Sequence, residues 1–171
     1  MLEGLDQIDW KALGEPRVPE WLRGLAQNDP TVGKALEDRF VYLGSESWEN
    51  FGPPSQLLQN DVPSLIVPFL IEILGSKECN FKAFILALLL DMLSYIDLPN
   101  ASAFFYQRRT KETINKILTI SPEDNSYTVR ARKVFGAVYE GREVYKSLLH
   151  GYSPAEGVEA ARLLEALGEL D

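Results

Sequence analysis

The stretch LPNASAFFYQRRTK, Leu98 to Lys111, combines Phe104, Phe105 and Tyr106 with Arg108, Arg109 and Lys111. Aromatic faces beside guanidinium groups can stack on planar groups or hold acidic peptides. The same residues also suit a plainer arrangement, with the rings packed under a loop and the cations in water. A second cluster, SESWENFGPP from Ser45 to Pro54, places Trp48 and Phe51 in a proline-ended loop. They are either recognition anchors or plugs tucked onto a core. A third group is Arg130, Arg132 and Lys133. Arg130 and Lys133 are three apart and share a helix face, with Arg132 on the neighbouring side. These eight residues, Trp48, Phe51, Arg108, Arg109, Lys111, Arg130, Arg132 and Lys133, form the candidate partner-binding set.

Catalytic chemistry finds no comparable footing. His150 is the sole histidine; it ends a predicted helix just before Gly151, where a cation suits the C-terminal dipole. With one histidine and Cys79 as the single cysteine, no Cys/His metal cluster and no internal disulfide can form. A lone cysteine reads as a buried thiol. No G-x-S-x-G turn, phosphate-cradling loop or dinucleotide fingerprint occurs. Glu37 and Asp38 are adjacent, so on a helix they diverge. Asp91 lies inside an apolar helix and marks either its solvent edge or a buried acid paired with a base such as Arg130. The expectation is a protein with no catalytic residues, no metal and no cofactor.

The elements that would carry these residues are helical. Val62, Leu65, Ile66, Phe69, Leu70 and Ile73 recur at helical spacing in DVPSLIVPFLIEILGS, Asp61 to Ser76. Val67, Ile71 and Leu74 fill its flanks, so this helix is predicted to be covered on several sides. Asp61 is its predicted cap and Pro63 suits its first turn; Pro68 should kink or restart it. Asn80 to Ile96 gives the next helix, with Asn80 as cap, and the two make an antiparallel hairpin. Three more pairs follow the same grammar: 18–27 with a helix from Asp29-Pro30 to about Leu43, then 110–119 with 126–139, then a pair ending the chain around the turn at 151–154. Val18-Pro19 with Leu22 and Leu25 repeats the offsets of Val67-Pro68 with Ile71 and Leu74.

A repeat of about 40–50 residues built from helix pairs predicts an all-α, HEAT-like solenoid of about four antiparallel pairs, one domain over 1–171. The segments VPEWLRGLAQNDP, VPFLIEIL and VRARKVFGAVYEG…VYKSLLHGYSPAEGVEAARLLEAL resemble bacterial HEAT-repeat-like proteins of the armadillo-type superhelical fold, over roughly residues 8–170. That resemblance implies a helical solenoid, with binding or immunity-type scaffolds among its members, and no fixed chemistry. The linker before the Val-Pro-Phe-Leu helix holds no His-Gln-Gly element, so no site is carried over from it.

The chain has 171 residues, 46% hydrophobic and 25% charged, enough for a core and a solvated surface. Its net charge of −8 argues against a general nucleic-acid binder. Yet residues 101–133 hold seven bases and three acids, a basic segment in an acidic chain. That segment is either a solvated face or a docking patch for an acidic partner. No apolar run approaches the ~20 residues of a bilayer span, and MLEGLDQIDW lacks the features of a secretory leader. Together these readings predict a cytoplasmic, non-catalytic protein-binding scaffold, with toxin neutralisation one concrete form. The alternative is a small-ligand-binding or enzyme-accessory helical-repeat protein. Oligomeric state is left open.

Overall fold

The computed structural model describes residues 2–35, 60–94, 110–151 and 153–170. Among these residues the fold is all-α, with no strand. A 3-10 turn at Leu5–Gln7 leads into α1 (Val18–Ala26); helical backbone resumes over 30–35. Then come α2 (Val62–Gly75), α3 (Lys82–Ser94), α4 (Lys111–Leu118), α5 (Ser126–Glu140), α6 (Arg142–Leu148) and α7 (Pro154–Ala166). The far end of the second helix in the first pair lies outside the described residues. No helix of the described residues is long and apolar enough to cross a membrane.

The helix starts follow from local chemistry. Asp29 accepts hydrogen bonds from the Thr31 and Val32 amides, capping the run at 30–35 as expected. Thr110 and Asn125 cap α4 and α5 in the same way. The expected Asp61 cap is corrected: its carboxylate makes no capping bond, and Asn60 Oδ1 takes the Val62 amide at 3.0 Å. Nor does Asn80 cap directly, since α3 begins two residues later at Lys82. Pro68 leaves α2 as one uninterrupted helix. The ring sits on an exposed side, where its missing amide forfeits only the bond to the Ser64 carbonyl.

α2 and α3 supply the centre of the core. Leu70, Ile73, Leu74, Ile85, Leu86 and Leu89 are all essentially fully buried. α2 packs on α3, on α1 and most broadly on α5, which explains its apolar residues on several sides. Cys79 is buried in the turn between α2 and α3, and burial pushes its thiol pKa up. The turns of the first two pairs are tied together by Asn28, in the left-handed region at φ 57°. Its amide nitrogen donates to the Glu78 carbonyl and its oxygen accepts from the Asn80 amide.

The pairs α2–α3, α4–α5 and α6–α7 pack internally, as the repeat reading requires. Contacts also run from the second pair to the fourth, outside any nearest-neighbour stack: α2 touches α6, and the most extensive helix–helix packing is α3 against α7. The last pair therefore closes onto the second, burying Ala160, Leu163 and Leu164 of α7. The C-terminal end is locked by Glu169, which accepts from the Tyr139 hydroxyl at 3.0 Å and pairs with Lys146 at 2.8 Å. The Lys146 ammonium holds the Glu169 carboxyl below its ordinary pKa, against the opposing effect of burial.

Candidate functional site

α5 is built with two faces. Thr128, Ala131, Val134, Phe135 and Val138 are buried at helical spacing and bind it to the core. The face that runs through Lys133, Gly136, Ala137 and Glu140 lines an open cleft of about 610 Å³. Across from it the first turn of α2 contributes Asp61, Ser64 and Leu65. Leu118 and Ile120, at and beyond the end of α4, close one side, and Leu13 closes another. Asn60 holds that last wall through its amide and the Leu13 carbonyl at 3.4 Å. Ile120 is 51% exposed, one of two large hydrophobic side chains so open among the described residues.

The basic residues of α5 divide between two tasks. Arg130 and Lys133 both approach Asp61 Oδ1, at 3.8 and 3.6 Å. These are ion-pair separations, too long for hydrogen bonds, and Oδ1 is buried with no hydrogen-bond partner among the described residues. Arg132 also lines the cleft, but its guanidinium is engaged by other groups. Its guanidinium grips Asp124 through Nε at 2.8 Å and Nη2 at 3.2 Å. Its Nη1 donates to the carbonyls of Lys116 and Ile117, the open end of α4. That grip lowers the Asp124 carboxyl pKa, first through the Arg132 hydrogen bond and then through the Ser121 amide. Arg132 is thus a clasp inside the α4–α5 pair and at the same time one of the residues that line the cleft.

The remaining candidates fall as follows. Lys111 is the exposed first residue of α4. Trp48, Phe51, Arg108 and Arg109 lie outside the described residues. The expected shared face of Arg130 and Lys133 is present, since both reach one carboxylate. Of the two readings of Asp91, the structure favours the solvent edge, since the residue is exposed; Arg130 approaches Asp61, and a charge acting on Asp91 is Glu159 of α7. Loss of surrounding water, then Glu159, raises the Asp91 carboxyl pKa, although the residue stands at the exposed edge of α3. His150 is exposed, two residues beyond α6. Among the described residues no group of three or more His, Cys, Asp or Glu side chains could hold a metal ion.

No family model, no curated protein and no solved structure matches this chain. The site therefore stands on its own geometry. Sequence reasoning missed Asp61, Gly136, Glu140 and Ile120 as cleft residues. The signal was present in α5: Lys133, Gly136, Ala137 and Glu140 follow the i, i+3, i+4, i+7 rule of one face, and that face is neither apolar nor uniformly charged.

Proposed function

We propose that this chain is a non-catalytic protein-binding scaffold of the HEAT-like helical-repeat kind, with its pairs wrapped so that the fourth meets the second. The observation that supports the reading is the cleft beside α5, with apolar walls at Leu65, Leu118 and Ile120 and a charged rim at Lys133 and Glu140. Apolar floors with polar rims are how protein surfaces anchor a partner's side chains. Toxin neutralisation is one form this binding takes, since a −8 chain complements a basic effector. The cleft volume also falls within the range of small-ligand sites, which favours the second reading, an accessory protein that holds a small molecule. Its open, charged rim favours a polypeptide.

The test is affinity capture from the native lysate on the full chain, followed by a titration with the purified partner. A one-to-one complex with a Kd in the micromolar range or tighter supports the scaffold. A small molecule retained in native mass spectrometry, with no protein partner at that affinity, sinks it and supports the accessory reading.

A further inference from the structure

We infer that the cleft beside α5 takes an extended peptide segment of a partner, with an apolar side chain over Gly136 and Ala137, a carboxylate at Lys133 and a cationic group at Glu140. The inference rests on the scaffold reading and adds the chemistry of the occupant.

Gly136 carries the argument. It lies in the interior of α5, where glycine is less favourable than alanine. Two other helical glycines have a packing reason. A Cβ on Gly24 would fall 2.6 Å from Val32, and one on Gly33 would run into the Phe81 ring. Among the described residues, a Cβ on Gly136 would meet nothing nearer than Leu118 Cδ2, at 3.7 Å, an ordinary contact. Among the described residues, neither backbone conformation nor neighbours therefore require glycine there. What it does is keep the cleft floor low, beside the small side chain of Ala137. A helix that gives up propensity at one position and gains only an open floor marks a place where something is seated.

The charges fix the direction of the occupant. Lys133 has three donors, and its one ion-pair partner among the described residues, Asp61, lies beyond hydrogen-bond reach at 3.6 Å. Its side chain is half exposed, and its ammonium can donate to a carboxylate from outside. Seven residues further along the same face, Glu140 is exposed and has no ion pair among the described residues. Seven helical residues rise about 10 Å, which an extended chain covers in roughly three residues. The fitting segment thus carries an acid and a base about three positions apart, with an aliphatic or aromatic residue between them.

A phage-displayed peptide library panned on the immobilised full chain tests this, with the selected peptides then synthesised and titrated by fluorescence polarisation. Selected peptides should share the acid, apolar, base order. Gly136→Leu should weaken them at least tenfold while keeping the wild-type circular dichroism. Lys133→Glu should weaken them several-fold, with recovery when the peptide's acid is changed to lysine. Glu140→Lys, at an exposed position that cannot disturb the core, gives the matching reversal at the other end. Peptides that bind Lys133→Glu and Glu140→Lys as tightly as wild type overturn the cleft assignment and leave the scaffold reading standing. Failure to select any peptide overturns the peptide occupant, while the scaffold reading fails only if purified protein partners are also absent.

Discussion

At the residue scale, two kinds of side chain give sharp expectations. Leu89 is wholly buried at the centre of α3, so Leu89→Ala removes buried methyl groups and leaves a cavity. The expected loss is about 2–5 kcal/mol in urea denaturation, and a loss below about 1 kcal/mol would contradict the packing described. Asp91 works in the opposite sense. Its carboxyl pKa is raised by lost hydration and by Glu159, so the ionised form fits the folded state less well than the unfolded one. That penalty is present at neutral pH, fades as pH falls through the folded value, and is gone below the unfolded value of about 3.9. Asp91→Asn should therefore raise the urea midpoint at pH 7, with the gain vanishing by about pH 3.5. A gain of equal size at both pH values would assign it to something other than ionisation. Both positions were legible in the sequence: Leu89 from its place in an apolar stripe, Asp91 as a solvent edge. The partner of Asp91 was not legible, because Glu159 is distant in sequence and no local pattern points to it.

At the element scale, the span of α2 was read nearly to the residue, since prolines and spacing are local signals, although the capping bond falls to Asn60 rather than Asp61. Of the two outcomes expected of Pro68, a kink or a restart, the restart does not occur, since α2 runs unbroken from Val62 to Gly75. A proline inside a helix is expected to break it, yet here the ring lies on the exposed side and the packing of α2 against α1, α3 and α5 holds the helix together. Tertiary contacts override the local preference, which no window of sequence displays. Pro68→Ala restores an amide that can donate to the Ser64 carbonyl and removes no buried contact. Interior proline disfavours a helix by about 3 kcal/mol, against about 1 kcal/mol for the freedom returned to the unfolded chain. A net gain of about 2 kcal/mol in urea denaturation is expected; a loss would show that the ring packs on something that matters. Arg132 teaches the same lesson about the site. Sequence spacing separated it correctly from Arg130 and Lys133, but its clasp on Asp124 and the α4 carbonyls depends on how α4 turns into α5.

At the scale of the whole molecule, the repeat grammar yields the helix pairs but not their closure. A one-dimensional stack couples each pair only to its neighbours, so a terminal pair frays on its own. Here α7, from the last pair, makes its broadest contact with α3 of the second pair, and Leu163 and Leu164 of α7 are fully buried. The two helices should therefore open as one unit. In native-state hydrogen exchange with added urea, amides of α3 and of α7 should show the same opening free energy and the same urea dependence. Leu163→Ala, which truncates a side chain of α7, should lower protection in both helices by the same amount. A stack with free ends predicts a different pattern: α7 amides exchange first, and Leu163→Ala leaves α3 unchanged. Because α2 packs on both α3 and α5, closure also braces the helix that forms the far wall of the cleft. The same experiment on α5 then reports whether the cleft face stays rigid when α7 is loosened. Unchanged α5 protection in Leu163→Ala would place the cleft in a part of the molecule that opens independently of the closure.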